Sequence, residues 1–381
     1  MSNWKTHSSS DEPEPMIPPY KSDIDPGVIE KLVAMSMDGS IGSAGLVEEF
    51  EFQLLESLGR KKADGHFAVV TADIGIAYRL AFSMLAIQPG DEIVMPALQR
   101  NRILIEAAED FGANPVLVDI DEETIGINVN EADNAITEKT KCIVAIDHEM
   151  TTCNHEGLRK VAARRKVEII HDISTSYGTT YKGEPIGRQH EMTLLSCTPS
   201  DSLNCVEGAA LLGRGFERLR FAEKAREIIL ALPRANDKGR QSQIRIDSDS
   251  IGLSYKMTAF HAGIGTSQIE RVIRARARGD QTIESLLEEI DNTNAFLSPI
   301  RTRGYIPSLL CLRLKPDPAS LKYRDALEAR GLVHLKTWMP LQSSEDNFAV
   351  ARKMAGTLMY SRPDPEHIKR LTAAIQHPVD A

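Results

Sequence analysis

Cysteine is scarce in this chain of 381 residues, and no two cysteines are spaced as a C-x-x-C pair. The five that occur are scattered along the sequence, and their number is odd. This pattern is typical of reduced thiols in the cytoplasm rather than of a disulfide framework. We therefore expect a cytoplasmic protein with unpaired cysteines.

Long apolar runs and an excess of basic residues are also missing. No run approaches the roughly 20 apolar residues that a membrane-spanning helix needs, and the polar start lacks the apolar segment of a secretion signal. Acidic residues outnumber basic ones, 54 to 45, which gives a formal net charge of −9. Such a chain has no electrostatic attraction to DNA or to anionic membranes. We expect neither nucleic acid nor a membrane among its partners.

Lysine is absent between Lys182 and Lys224, within the part of the sequence that is most informative about a site. Two predicted strands, one with apolar Val167, Ile169 and Ile170 and one with Leu194 and Leu195, each end in polar residues, and a third apolar run follows at 209–212. Buried parallel strands that end in polar loops are where α/β sheets place ligands. We therefore predict that four polar residues share one pocket: His171, Asp172, Ser196 and Asp201.

The wider pattern predicts an α/β protein. Strand and helix signals alternate from residue 66 to residue 213, which favours a mostly parallel sheet with helices on both faces. The length suits one large domain and a smaller one. We place a disordered tail at 1–20, the large domain at 21–255, and a connecting helix with a small α+β domain at 256–381.

Several motifs resemble the DegT/DnrJ/EryC1/StrS sugar aminotransferases, a fold-type I group that uses pyridoxal phosphate (PLP). The resemblance covers roughly residues 17–375. It implies the fold-type I aminotransferase architecture, a large domain with a mostly parallel sheet plus a small C-terminal domain. The matching segments are F-E at 50–51, P-G-D-E-I-V-M-P at 89–96, G-A-N-P-V-L-V-D at 112–119, T-E-K-T-K-C-I at 137–143 and G-L-S-Y-K-M at 252–257.

The resemblance also implies a role for each site position, and two of these positions keep the family residue. Asp172 matches the aspartate that pairs with the pyridine nitrogen of PLP, and Ser196 matches the serine of the lysine motif. The position of the Schiff-base lysine, however, holds Asp201. The S-G-T turn that binds the PLP phosphate is replaced by Asp73-Ile74-Gly75. A carboxylate there repels a phosphate, although Asp73 is equally interpretable as a helix N-cap.

Other positions depart from the family pattern as well. Gln99-Arg100 replaces the aromatic residue that stacks on the cofactor ring, Ser254 replaces an asparagine that crosses the dimer interface, and His171 replaces a glutamate. Arg100 can stack on a planar ring or bind a carboxylate, or be a surface arginine, and His148 ends a predicted strand. The candidate catalytic residues are Asp201, His171 and Asp172, and the candidate substrate-binding residues are Asp73, Gln99, Arg100, His148, Ser196 and Ser254.

These departures predict a protein that needs no cofactor, because a Schiff base requires a lysine amine and Asp201 cannot form one. Binding of PLP or pyridoxamine phosphate without a covalent link is the disfavoured alternative. The favoured hypothesis is a cofactor-independent enzyme of the lyase or isomerase type that acts on a sugar-like or carbonyl intermediate. In it the carboxylates of Asp172 and Asp201 repel each other, so that one serves as the acid and the other as the base. His171 and Arg100 would then orient the substrate.

Two further hypotheses stay open. The chain could be a non-catalytic partner subunit of an active aminotransferase. It could also be a sugar dehydratase or aminotransferase that binds the cofactor non-covalently, with Asp201 as the base of a dehydratase. The resemblance implies a small-molecule substrate, such as a nucleotide-linked sugar or an aminocyclitol. It also implies a homodimer, with a heterodimer as the alternative.

Overall fold

The structure is a computed structural model, and it describes residues 24–43, 45–148, 152–227, 255–278, 297–299, 309–314, 336–337 and 354–358. The tail predicted at 1–20 and the candidate residue Ser254 lie outside these ranges. The domain boundary predicted near residue 255 stays a prediction.

The helices and strands of the described residues alternate through most of the chain. The helices are α1 (Pro26–Met37), α2 (Leu46–Ser57), α3 (Ile74–Met84), α4 (Ile103–Asp110), α5 (Val129–Ala135), α6 (His155–Arg165), α7 (Phe216–Glu227) and α8 (Ala259–Arg278). The strands are β1 (His66–Thr71), β2 (Glu92–Pro96), β3 (Leu98–Gln99), β4 (Asn114–Val118), β5 (Thr140–Ile146), β6 (Glu168–Asp172), β7 (Thr180–Tyr181), β8 (Glu184–Pro185), β9 (Met192–Ser196), β10 (Ala209–Arg214), β11 (Leu297–Pro299), β12 (Leu309–Leu314), β13 (Lys336–Thr337) and β14 (Met354–Leu358).

Seven strands form a central sheet in the order β1-β10-β9-β6-β5-β2-β4. The neighbours from β9 to β4 are parallel, and β10 runs antiparallel to both β9 and β1. Six strands therefore share one direction, and their carboxyl ends meet at one edge of the sheet. The predicted α/β architecture with a mostly parallel sheet is confirmed.

Helices cover both faces of this sheet, because successive side chains of a strand point to opposite faces. Val69 and Ile170 belong to a core that includes residues of α3 and α4. Their neighbour Val70 packs in a core with residues of α2 and α8, while Ile169 packs in one with residues of α6. The same alternation decides where the polar residues at the strand ends point.

Local capping explains where several helices begin. Pro26 occupies the first turn of α1, where its missing N–H costs nothing, and the Asp25 carboxylate accepts a hydrogen bond from the Gly27 amide. Asp73 caps α3 by accepting from the Ile76 amide at 3.0 Å. The N-cap interpretation of Asp73 is therefore what the structure shows. Within the described ranges, no helix has the length and apolar character to cross a membrane.

One buried carboxylate accepts a hydrogen bond from a backbone amide of β1, the end strand of the described sheet. Glu51 of α2 is 9 % exposed, and its Oε1 accepts the Val70 amide of β1 at 3.0 Å. A backbone N–H that loses its acceptor in a buried place costs free energy of about 1–3 kcal/mol. The helix thus contributes a hydrogen bond to the strand that it packs against.

We predict that Glu51→Ala lowers the free energy of unfolding by about 1–3 kcal/mol, because the Val70 amide loses its buried acceptor. Urea denaturation measures the change. The matched control is Glu56→Ala, an exposed position on the same helix, which should stay within about 0.5 kcal/mol of the parent protein. Equal effects of the two substitutions would contradict the role given to Glu51.

Candidate functional site

A cavity of about 150 Å³ lies at the carboxyl edge of the sheet and gathers most of the predicted site residues. Larger grooves of about 450 and 700 Å³ lie elsewhere on the described surface and contain none of them. The predicted residues that line the cavity are Ile74, Gln99, Arg100, His148, Asp172, Ser196 and Asp201. They are joined there by Tyr78, Asn101, Ile103, Leu104, Ile146, Ser174, Thr175, Thr198 and Ser200.

Asp172, the last residue of β6, is held by hydrogen bonds on both carboxylate oxygens. The Tyr78 hydroxyl donates to Oδ2, and the amide and hydroxyl of Ser174 donate to Oδ1 at 2.8 and 2.5 Å. Burial raises the pKa of Asp172, the hydrogen bonds from Ser174 and Tyr78 oppose that rise, and the charge of Asp201 adds to it. Burial, with the neighbouring Asp172, raises the pKa of Tyr78 well above its usual value. The tyrosine is therefore a fixed hydrogen-bond donor at neutral pH.

Asp201 lies in the loop after β9, and its carboxylate is fully engaged. Arg100 Nη1 donates to Oδ1 at 2.6 Å, and the amide and hydroxyl of Thr198 donate to Oδ2 at 2.8 and 2.6 Å. The Asp201 side chain is 2 % exposed, while that of Arg100 is 21 % exposed. Arg100 also donates to the carbonyl and hydroxyl oxygens of Ser200. The arginine therefore bridges from the loop after β3 to the loop that carries Asp201.

The three residues at the position of the phosphate turn do not all reach the cavity. Ile74 lines it, but Asp73 and Gly75 do not. A Cβ on Gly75 would lie 2.8 Å from Arg79 Nη1 and 3.0 Å from Asp73 Oδ1, so this turn is closely packed. The Asp73 carboxylate is committed to the start of α3.

His171 is not in the cavity, so the prediction that it shares a pocket with Asp172 does not hold in the structure. It precedes Asp172 in β6, and the pleat of the strand points the two side chains to opposite faces. His171 is fully buried, and its Nε2 lies 2.8 Å from Asp147 Oδ2. The sequence contained the signal for this separation, because adjacent residues of a strand cannot share a face.

Gln99 and His148 both line the cavity and are almost completely buried. The Gln99 side chain donates to the Pro96 carbonyl at 2.9 Å. Burial lowers the pKa of His148 to about 4, which keeps its imidazole neutral at neutral pH. Ser196 lies at the end of β9, and its amide donates to the Ser174 hydroxyl at 2.8 Å.

Sequence reasoning missed Tyr78 and Ser174, which both bond directly to Asp172. Tyr78 is a hydroxyl-bearing residue on the buried face of an otherwise apolar helix segment. Such a residue normally finds a hydrogen-bond partner when it is buried, which was the available signal. Ser174 follows Asp172 by two residues, a spacing at which side chains commonly accept or donate local hydrogen bonds.

The sequence profile of the DegT/DnrJ/EryC1/StrS aminotransferase family matches residues 23–315. The chain belongs to this family. An uncharacterized protein of Methanocaldococcus jannaschii is 26% identical over 298 residues, which cover 75% of this chain and 72% of that protein.

Solved structures of family-like proteins share the fold. A Streptococcus pneumoniae protein with the provisional name of sugar aminotransferase, in its PMP form, has a TM-score of 0.76 at 20% identity, covering 96% of this chain and 97% of its own. The Escherichia coli GDP-4-keto-6-deoxy-D-mannose-3-dehydratase with bound hydrated PLP has a TM-score of 0.73 at 15% identity, covering 94% and 98%. At these identities the likeness shows the fold.

The comparisons correct one prediction from the sequence. We expected no cofactor, yet the chain belongs to an aminotransferase family, and the structures that resemble it include PLP and PMP forms. The prediction from the sequence that the protein needs no cofactor is therefore wrong. The error came from treating the loss of the lysine, the S-G-T turn, the stacking aromatic residue and the interface asparagine as the loss of the whole binding site.

The described residues fit the parts of PLP unequally. Asp172 suits the ring nitrogen, because it is a buried acceptor held in place by Tyr78 and Ser174. The lining residues of the cavity include no lysine, so they offer no amine for a Schiff base. Asp73 places a carboxylate at the phosphate turn, although it points into the helix start. The described residues therefore offer a contact for the ring nitrogen and no amine for a covalent link.

We predict that Arg100→Gln lowers the free energy of unfolding by about 1–3 kcal/mol, because the buried Asp201 carboxylate loses its cationic partner. The double substitution Arg100→Gln with Asp201→Asn should recover part of the loss, since it removes the unpaired charge. Chemical denaturation of the variants measures both effects. Arg102→Gln, at a 46 % exposed arginine of the same loop, is the control and should change little. A strictly additive double variant would show that the two side chains do not depend on each other.

Proposed function

We propose that the protein binds pyridoxamine phosphate or PLP without a covalent bond and acts on a keto-sugar substrate in the manner of a sugar dehydratase. The observation that carries this proposal is the pair of carboxylates in one cavity, Asp172 at the end of β6 and Asp201 in place of a lysine. Membership of an aminotransferase family supports a PLP-type cofactor. The fold shared with a dehydratase that holds hydrated PLP supports the reaction class.

The bound cofactor would supply a pyridinium ring that withdraws electrons from the substrate carbon attached to it. Asp172 would keep the ring nitrogen protonated through a charge-assisted hydrogen bond. Tyr78 and Ser174 would orient Asp172, since each already donates to one of its oxygens. These two hydrogen bonds would fix the orientation of the Asp172 carboxylate before the ring binds.

Asp201 would accept a carbon-bound proton and deliver it to the leaving hydroxyl of the substrate, which departs as water. As a carboxylate it cannot form a Schiff base, but it can act as a general base within hydrogen-bond reach of the proton. Arg100 holds this carboxylate at 2.6 Å. The cavity volume of about 150 Å³ is below the roughly 300–1,000 Å³ of typical ligand sites. Arg100, which is the more exposed partner, would therefore move aside and contact the substrate.

A nucleotide-linked keto sugar, or a keto precursor of an aminocyclitol, is the substrate class that we propose, because the family resemblance implies it. Such a ligand brings a carbonyl and several hydroxyls to a polar cavity. Gln99, His148 and Ser196 offer side-chain donors and acceptors there. The neutral imidazole of His148 suits a hydrogen bond to an uncharged hydroxyl.

A second candidate function is a non-catalytic subunit that pairs with an active homologue. The specific observation in its favour is that the Arg100–Asp201 ion pair stands inside the cavity and narrows it. A protein of this kind would bind neither form of the cofactor. The titration described next separates the two candidates.

We predict that pyridoxamine phosphate and PLP each produce a saturable absorbance change with the purified protein. Borohydride reduction of the PLP complex should leave the intact mass unchanged. Asp201→Lys should instead gain the mass of a reduced PLP adduct, because it restores an amine beside Asp172. No absorbance change up to millimolar cofactor would overturn the proposal and favour the subunit function. A covalent adduct on the parent protein would place the cofactor on another lysine and also overturn it.

We predict opposite effects of two aspartate substitutions on pyridoxamine phosphate affinity, measured by the same titration. Asp172→Asn should weaken binding about tenfold or more, because it removes a charge-assisted hydrogen bond of about 1.5–3 kcal/mol. Asp73→Asn should strengthen binding, since asparagine caps a helix as well as aspartate and carries no charge against the phosphate. Equal affinities of all three proteins would show that the cofactor does not bind at this cavity.

A further inference from the structure

Four buried polar residues meet on the face of the sheet opposite to the cavity. Asp147 follows β5, His155 opens α6, His171 lies in β6, and His190 lies in the loop before β9. We call these four residues the histidine cluster. Asp147, His155 and His171 are fully buried, and His190 is 8 % exposed. The proposed function uses none of their side chains, so the inference below does not depend on it.

The three imidazoles converge. One ring nitrogen from each histidine lies within 4.8 Å of a ring nitrogen of both others. The ring centroids of His155 lie 4.4 Å from those of His171 and 5.1 Å from those of His190. Three imidazoles in one dry place are a donor set suited to zinc and related first-row metal ions.

Asp147 fixes which nitrogen of two rings carries the proton. Its Oδ2 lies 3.0 Å from His155 Nε2 and 2.8 Å from His171 Nε2. A carboxylate accepts, so both Nε2 atoms are donors, and in the neutral form of each ring the Nδ1 atom carries a lone pair. This is the pattern in which a metal-ligating histidine donates its other N–H to a carboxylate.

The two Nδ1 lone pairs have different surroundings. His155 Nδ1 lies 3.0 Å from His190 Nε2. His171 Nδ1 has no hydrogen-bond partner among the described residues, although the ring is completely buried. A buried acceptor without a partner costs free energy and calls for an explanation, for which an ion is one of the standard candidates.

One member of the cluster borders a groove on the surface. His190 lines a groove of about 450 Å³ that opens on the described surface. Arg60 lines the same groove and clamps the loop of His190 by donating to the carbonyls of Gly187 and His190 and, at 3.0 Å, to the Thr193 hydroxyl. The side of His190 is therefore where an ion would enter.

We propose that the histidine cluster is a binding site for a divalent transition-metal ion of the zinc class. The ligands are one ring nitrogen each from His155, His171 and His190, and Asp147 holds two of these rings from behind. Ligand atoms of a tetrahedral zinc site lie about 3.3 Å apart. His155 Nδ1 and His190 Nε2 are already 3.0 Å apart, so the main adjustment on binding is the approach of the His171 ring. The positive charge of Arg60 disfavours a metal ion in the cluster. The negative charge of Asp147, which is in direct contact with two of the ligands, favours the metal ion.

The test uses untagged full-length protein that has been stripped with a chelator. Co²⁺ is added first, since its visible absorption reports coordination by protein nitrogen, and Zn²⁺ is then added as a competitor. We expect one equivalent of Co²⁺ to produce a visible band that Zn²⁺ abolishes, together with a rise in Tm. An absence of both the band and the Tm change at millimolar metal would overturn the proposal and leave a purely hydrogen-bonded cluster.

Matched variants locate the ion. His190→Gln should remove the band, and Asp147→Asn should weaken binding about 10- to 100-fold, as loss of a carboxylate behind a ligand does. His66→Gln is the control, because His66 lines the same groove outside the cluster, and its affinity should equal that of the parent protein. Loss of binding in His66→Gln, or its retention in folded His190→Gln, would place the ion elsewhere. Circular dichroism checks that each variant is folded. If a variant unfolds, the Co²⁺ titration of the parent protein still shows whether the cluster binds a metal ion.

Discussion

The pleat of β6 is the constraint on which the two polar centres of this molecule depend. Two adjacent residues, His171 and Asp172, end this strand, and the pleat points their side chains to opposite faces of the sheet. One face receives the buried carboxylate of the cavity, and the other receives the histidine cluster. A shift of the strand by one residue would exchange the two chemistries.

Buried charge on both faces is tolerated because each group is satisfied by neighbours from other elements. Asp172 is bonded by Tyr78 from α3, and Asp201 by Arg100 from the loop after β3. Asp147 would have its pKa raised by burial, yet the contacts with His155 and His171 hold that pKa well below its usual value. Unpaired charges in such places would strongly destabilise the folded state. The partners of these three aspartates therefore contribute to stability as well as to the site.

The sequence was sufficient for the fold and for part of the site. Strand and helix signals are local, so the α/β alternation and the meeting of Asp172, Ser196 and Asp201 at one edge could be predicted from strand ends. The pairing of Arg100 with Asp201 joins residues 101 positions apart, and no local pattern encodes it. Strand alternation predicts that His171 and Asp172 point to opposite faces of the sheet. The two residues were nevertheless assigned to one pocket because they are adjacent in the sequence. The cofactor prediction failed because single substitutions say what chemistry is lost, not what binding is kept.

The short strand β3, which precedes Arg100, pairs with a strand from a distant part of the chain. Its residues Leu98 and Gln99 pair with Thr337 and Lys336 of β13. Arg100 comes directly after Gln99, so the arginine that covers Asp201 is attached to a ribbon whose other strand lies more than 200 positions later. One wall of the cavity is thus built on a strand pairing between two distant parts of the chain. A C-terminal pairing of this kind makes the surroundings of the cavity depend on residues that local sequence patterns around Arg100 do not include.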